Sequence, residues 1–465
     1  MTDPLTVLAG LVGDAWLVGG ALRDRLLERP TADFDVAVSA DAELQSVARA
    51  LGRAAGGVAF ELSQAFGAWR VVAHDRSWQL DLMPVDRAGI EADLGRRDLT
   101  VNAIAESLHD RGRYVDPFGG LEDLRRRRLR MVSERSFAAD PLRTMRLARL
   151  SAELDFEVEP ATLRTARESA ARLAEVAAER IFAELKRVLG AERALHGLAV
   201  MDAVGATDVV LPELVALRGV AQSRFHHLDV ADHTYAVLAE TIELQRDPNA
   251  YFGGLGRALG AVLAAPLADQ LTRGEAMRFG ALLHDIAKPQ TRSVTGEGRV
   301  MFMGHDEAGA QAAIEILRRL RASDRLAEHV AALTRHHLRL GFLVHEMPLD
   351  RRAVYRYLEA CSPVAIDVTV LSVADRLATR GDGFQAAIDR HLELARQLLG
   401  EALSWAASPP RAPVRGDELA KALGVRPGPA LGDLLSRLRE ASFTGEIVTR
   451  EQAIEHARRL IERAG

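Results

Sequence analysis

The sequence predicts an α+β chain, with a small mixed α/β head followed by an almost wholly helical neck, second domain and tail. Three observations carry that reading. Over the first ~130 residues, strand-length apolar runs at residues 15–18, 34–38, 69–73 and 78–85 alternate with glycine turns. From Asp140 onward the apolar residues recur at helical spacing. The clearest linker is Ser408-Pro409-Pro410-Arg411-Ala412-Pro413. The expected boundaries are 1–133 for the head, 134–212 for the neck, 213–405 for the second domain and 413–465 for the tail.

A chain of 465 residues exceeds one hydrophobic core, so three or four structural units are expected. Hydrophobic residues at 48% and charged residues at 27% exclude disordered and fibrous classes. A single cysteine, Cys361, excludes an intrachain disulfide and a zinc ribbon, and fits a reducing cytoplasm. The N-terminus lacks a basic and then apolar leader, and the most apolar stretch, residues 258–268, is too short to cross a bilayer. No export and no membrane are expected. With a formal net charge of -5, any nucleic-acid binding must come from a local basic surface.

In the head, Leu17-Val18-Gly19-Gly20-Ala21-Leu22-Arg23-Asp24 reads as a strand, a tight glycine turn and a helix start, which aims backbone N–H groups at a phosphate. Asp33-Phe34-Asp35 then enters the apolar Val36-Ala37-Val38, so both carboxylates point to one face of a strand. Carboxylates that close repel unless positive charge lies between them, which two Mg²⁺ ions supply in phosphoryl transfer. Asp81, in the alternating Leu80-Asp81-Leu82, is either a third carboxylate facing the metal or a solvated hairpin position.

Further motifs follow in order: Arg96-Arg97-Asp98-Leu99-Thr100-Val101-Asn102-Ala103, then Asp116-Pro117-Phe118-Gly119-Gly120-Leu121-Glu122-Asp123-Leu124. With the Gly-Gly-x-x-Arg-Asp turn and the aspartate pair, they resemble the DNA polymerase β nucleotidyltransferase superfamily. The resemblance is to its class II tRNA nucleotidyltransferase (CCA-adding) and bacterial poly(A) polymerase branch. It implies a polymerase-β-like head with Asp33 and Asp35 as catalytic Mg²⁺ ligands. By the same resemblance Gly20 and Arg23 hold the triphosphate, while Arg97 and Asp98 contact the nucleotide's sugar and phosphates. The basic run Arg125 to Arg128 with Arg130 reads as a phosphate contact or a solvated surface strip.

The neck opens at Asp140-Pro141-Leu142-Arg143, read as a helix with Asp140 as N-cap and Pro141 at its first position. Arg143, Arg146 and Arg149 follow at three-residue spacing as a basic stripe, expected to bind nucleotide. Cytosine and adenine each present an amino donor beside a ring-nitrogen acceptor, so an acceptor Asp140 next to a donor Arg143 pairs with either. Guanine and uracil would leave polar groups unmatched, at about 1–3 kcal/mol each. In the resembled family these positions form a Glu-Asp-x-x-Arg motif that replaces a template, and Ala139 stands here where the glutamate is expected. Residues 179–185 resemble the family's last neck motif, a buttressing helix with no chemistry assigned.

In the second domain His233, His284-Asp285 and Asp375 follow the order that marks HD-domain phosphohydrolases, which implies a divalent transition metal. The motif Ala281-Leu282-Leu283-His284-Asp285-Ile286-Ala287-Lys288-Pro289 reads as an apolar helix that ends in ligands and stops at proline. His305 and the pair His336-His337 are candidates to extend the site to a second metal. The domain is either a hydrolase or a remnant that only binds tRNA, and the tail either packs or touches tRNA. The whole predicts transfer of CMP and AMP from CTP and ATP to a tRNA 3′ end. A short segment between Asp81 and Arg97 keeps CC-adding, A-adding and poly(A) addition open. An HD phosphohydrolase with a degenerate head, and a noncatalytic RNA-binding protein, are the competing classes.

Overall fold

The computed structural model describes residues 3–39, 41–64, 67–85, 87–222, 227–380 and 384–463, which divide into two compact units, Met1–Val210 and Leu211–Gly465. In the first unit the strands are β1 (Ala15–Val18), β2 (Asp33–Val38), β3 (Gly57–Ser63), β4 (Ala68–Ala73), β5 (Gln79–Pro84), β6 (Ala105–Ser107) and β7 (Tyr114–Val115). They form one sheet in the order β3-β4-β5-β2-β1-β6-β7. Only β2 and β5 pair in parallel.

Helix α1 (Gly19–Leu26) leaves β1 with no intervening loop, a reversal that Gly19 permits at φ +69°. Helix α2 (Leu44–Ala55) covers the sheet face that carries Val71, Leu80 and Leu82, all fully buried, and Arg49 from this helix lies over the Trp69 ring. The opposite face is covered around Val18, Ala37 and Ala105, which pack with Leu94 and Ala103, and is open toward β3, β4 and β5. Register places Arg70 opposite Asp81, and Asp81 opposite Asp35, on that face.

The strand runs read from sequence coincide with β1, β2, β4 and β5. Strand β3 was not among them; its Val58, Phe60 and Leu62 are exposed. Strands β6 and β7 are too short to leave a periodic signal.

The neck consists mainly of helices α3 (Arg143–Leu154), α4 (Ala178–Gly190) and α5 (Ala194–Val204), packed on one another. The expected helix start at Asp140 is displaced: Asp140 accepts from the Leu142 N–H at 3.2 Å and from Arg180 at 3.1 Å, and α3 begins at Arg143. A carboxylate held by a side chain of another helix and capping only two residues ahead leaves Pro141 and Leu142 in a turn. Nor is the chain wholly helical here, since Glu157–Val158 pairs in parallel with Arg128–Leu129.

The basic run resolves into ion pairs. Arg125 and Arg126 pair with Glu122, while Arg128 and Arg130 converge on the fully buried Asp123. Asp123 also accepts from the Thr100 hydroxyl at 2.7 Å, and Asp116 accepts from the Gly120 and Leu121 N–H groups. The motif from Asp116 to Leu124 thus ties the head together.

The second unit is built on α6 (Val230–Arg246), α7 (Arg273–Leu283), α8 (His305–Arg319), α9 (Asp324–His336), α10 (Ala365–Ala378) and α11 (Phe384–Ala407). Between α7 and α8 lies a hairpin of β8 (Arg292–Val294) and β9 (Val300–Phe302), absent from the helical expectation. Helix α7 ends at Leu283 with His284 as its C-cap, ahead of the proline; Pro289 instead opens the short helix Lys288–Thr291. The tail closes its own small core on Leu419, Leu438, Ala453 and Ala457. No single described helix is long and apolar enough to cross a membrane.

Asp123→Ala strands a buried hydroxyl and releases two arginines, so unfolding free energy should fall by about 1–3 kcal/mol in a denaturant titration. An unchanged midpoint would remove Asp123 as the head's anchor.

Candidate active site and candidate metal centre

A cleft of about 820 Å³ in the first unit is lined by Gly19, Gly20, Arg23, Asp33, Asp35, Arg97, Asp98 and the neck residues Arg143, Arg146 and Arg149. The close approach at Gly19 explains its glycine. A Cβ there would lie 2.9 Å from an Arg97 nitrogen and 3.1 Å from an Asp35 oxygen, so any side chain would displace both. Burial pushes the Asp35 carboxyl above its ordinary range; Arg97 pulls it back, while Asp81 and Asp33 raise it. Two adjacent carboxylates with that much unrelieved repulsion fit a divalent cation, and Mg²⁺ is commonly held by one or two carboxylates plus substrate phosphates. Asp81 shares their face, but both its oxygens accept from Arg70, at 2.6 and 2.7 Å.

Asp98, only 4% exposed, is the hub of the cleft. It accepts from the Leu99 N–H at 2.8 Å, from Asn102 Nδ2 at 3.0 Å and from Arg146 at 3.1 Å. Asn102 in turn accepts from Arg23 at 2.8 Å, which links the helix after the glycine turn to the neck. Burial raises the Asp98 carboxyl, but Arg146 with the Asn102 and Leu99 donors outweighs it and holds it below the ordinary range.

The three stripe arginines differ in what holds them. Arg143 donates to the carbonyls of Arg96 at 2.7 Å, Ser136 at 3.0 Å and Arg97 at 3.3 Å, and its buried Nε has no partner. With Ala139 in place of an acid, backbone carbonyls orient this guanidinium. Arg146 faces Asp98, and Arg149 is buried and paired with Glu184 at 2.6 Å and Glu153 at 3.0 Å. Asp140 is not among the residues lining the cleft, and its partner is Arg180.

Sequence reasoning missed two residues. Asn102 was quoted within its motif without a role. Glu184 was placed on a buttressing helix, yet it lines the cleft beside Arg146 and Arg149; the available signal was an acid set between Phe182 and Leu185 on an apolar helix face.

In the second unit His233, His284 and Asp375 offer ligand atoms within 4.8 Å of one another, as do Asp285, His305 and His337. The Nδ1 atoms of His284, His305 and His337 lie 2.8, 2.6 and 2.6 Å from the carbonyls of Ala281, Phe302 and Thr334. Each ring therefore donates through Nδ1 and presents Nε2 as an acceptor, the arrangement of a metal-binding histidine. Buried His284 Nε2 and both Asp285 oxygens make close ion-pair approaches but no hydrogen bond of sound geometry. Burial, with His284 beside it, pushes His337 down to about 4, which keeps it neutral. For Asp375, burial is outweighed by His233, and its carboxyl lies well below the ordinary range. These residues fit a divalent metal with mixed nitrogen and oxygen ligands.

Of the candidates for a second position, His305 and His337 join the cluster and His336 does not. The Nδ1 of His336 accepts from Arg339 at 3.0 Å, since adjacent residues at the end of α9 point to different sides. A cavity of about 790 Å³ opens on the cluster, and Phe302, Met303, Phe342, Arg376 and Arg390 are among the residues that line it.

The family described as the Poly A polymerase head domain matches residues 15–130, the probable RNA and SrmB-binding site of polymerase A matches 155–217, and the HD domain matches 230–380. The chain is 36% identical to an A-adding tRNA nucleotidyltransferase of Deinococcus radiodurans, over 96% of each chain. It is 35% identical to a CC-adding tRNA nucleotidyltransferase of Thermus thermophilus, over 95% of this chain and 92% of that one. Among solved structures, the Thermotoga maritima CCA-adding enzyme complexed with tRNA matches with a TM-score of 0.62 at 19% identity, covering 98% of this chain and 94% of that one.

A carboxylate whose pKa is depressed on folding contributes stability that is fully present above its unfolded value and lost as pH falls through the folded one. The unfolding free-energy gap between the wild type and Asp98→Asn should therefore be widest near neutrality and close below about pH 4. A gap independent of pH would mean that Asp98 is not held ionised by Arg146.

Proposed function

The chain belongs to the tRNA nucleotidyltransferase family, and from that premise we propose that it adds CMP and AMP, from CTP and ATP, to the 3′ end of tRNA without a nucleic-acid template, in the cytoplasm. The observation that carries this reading is the single cleft in which the Asp33 and Asp35 carboxylates meet the arginines of the neck. The proposed organisation is a head over 1–133, a neck over 134–212, an HD domain over 213–405 and a tail over 413–465.

Asp33 and Asp35 would hold Mg²⁺, which lowers the pKa of the attacking 3′ hydroxyl and steadies the leaving pyrophosphate. The 3′ oxygen bonds to the α-phosphorus, the bond from that phosphorus to the bridging oxygen breaks, and pyrophosphate leaves. Gly20 and Arg23 hold the triphosphate, Arg97 and Asp98 position the sugar and phosphates, and Arg146 and Arg149 line the nucleotide's side of the cleft. Asp140 and Arg143 read the base. For Asp140 this requires release from Arg180, an exposed pair worth about 0–1 kcal/mol and so easily exchanged for a base.

Incubation with tRNAs ending before CCA, after C and after CC, each nucleotide being supplied separately, tests the reading directly. CMP should enter the first two and AMP the third, with neither GMP nor UMP entering, and Asp33→Ala or Asp35→Ala should reduce incorporation to background. Incorporation of CMP alone would identify a CC-adding specialist and of AMP alone an A-adding one; none on any acceptor would defeat the proposal. Arg143→Ala should narrow the preference for CTP and ATP over GTP and UTP by roughly tenfold to a hundredfold in kcat/KM.

The two ligand triads meeting at His284-Asp285 favour an added activity, hydrolysis of phosphomonoesters or cyclic phosphodiesters. His233, His284, Asp285 and Asp375 would hold a divalent transition metal. His284→Ala should lower metal content by elemental analysis and abolish phosphatase turnover, while nucleotide incorporation persists.

A further inference from the structure

On the open part of the sheet face that carries Arg70 and Asp81, β3 presents Val58 and Phe60, with Leu62 following at a bulge, at exposures of 54%, 45% and 42%. No other run of exposed large apolar residues occurs among the described residues of that unit, where Leu11 and Tyr114 stand singly. Strand β3 is moreover the sheet's edge, a position where exposed apolar side chains invite aggregation and where charges are the usual occupants. An apolar stripe there calls for an occupant.

Register identifies what the stripe adjoins. Phe60 is opposite Arg70, Arg70 opposite Asp81, and Asp81 opposite Asp35, so one cross-strand row runs from the aromatic ring to the cleft carboxylate. The neighbouring row runs from Val58 through Val72 and Gln79 to Asp33. Three strand spacings separate the ends of each row, roughly 14 Å. Between them Arg70 and Asp81 neutralise each other through two hydrogen bonds, so no free charge interrupts the path.

We infer that this face is a stacking platform for the unpaired 3′ end of the acceptor RNA, with a base upstream of the reacting ribose lying on Phe60. The inference rests on the nucleotidyltransferase reading and adds to it a place for the second substrate. A terminal 3′ hydroxyl delivered to Asp33 and Asp35 puts preceding nucleotides within reach of β3, and every base has an apolar face to offer. Stacking is tolerant of sequence, as a site must be whose acceptor changes its last base at each addition.

The test uses the full chain and an acceptor tRNA that the wild type extends. Phe60→Ala should raise the KM for tRNA about tenfold, the scale of one lost base stack, and leave the KM for the nucleotide where it was, while Phe60→Trp restores it. A fluorescent 2-aminopurine in the acceptor's penultimate position should be quenched by the wild type and recover in Phe60→Ala. An unchanged tRNA KM in a variant that incorporates nucleotide overturns the inference, as does a concentration-dependent dimer that Phe60→Ala dissolves without affecting tRNA KM. If the wild type incorporates nothing, the transfer reading fails by itself. Anisotropy with a 3′-overhang RNA then decides the platform: equal affinity of wild type and Phe60→Ala overturns it.

Discussion

A buried carboxylate, Asp98, is the interaction on which the head and neck depend. It lies almost out of solvent, and burial alone would favour its neutral form. Arg146 from the neck helix, Asn102 and the Leu99 N–H keep it ionised, and Asn102 passes the constraint to Arg23 beside the glycine turn. One charge thereby fixes four groups from three parts of the chain around the same cleft. The arrangement is stiff because removing either partner would leave the other buried and uncompensated.

The arginine stripe illustrates how three residues of one type at one spacing acquire different tasks. Arg146 answers a buried acid, Arg149 is enclosed by Glu184 and Glu153, and Arg143 is oriented by backbone carbonyls. A guanidinium held by carbonyls keeps its charge unneutralised, whereas one held by carboxylates does not. Arg143, which lines the cleft with no carboxylate hydrogen-bonded to it, is the arginine of the three best disposed to meet a ligand.

The second unit solves a different electrostatic problem. Six histidine and carboxylate ligands are gathered in its interior, and the carbonyls of Ala281, Phe302 and Thr334 fix the ring orientation of three of them. So much unsatisfied acceptor capacity in a buried place is costly unless a cation supplies the missing charge. The hairpin at residues 292–302 brings Phe302 both to the His305 ring and to the mouth of the cavity, so one short element orients a ligand and shapes access.

The sequence by itself determined the class of chemistry and most of the elements. The aspartate pair, the glycine turn and the ordered histidines and aspartates are local patterns, and strands β2, β4 and β5 announce themselves by strand-length apolar runs. Tertiary structure decided what no local pattern encodes. It gave Arg70 to Asp81 and Glu184 to Arg149, moved the start of the neck helix past Asp140, turned the basic run after Arg125 into ion pairs, and separated His337 from His336. The physical reason is that a side chain's residue type sets which partners it can accept, while the partner it finds depends on chain segments brought together only by folding.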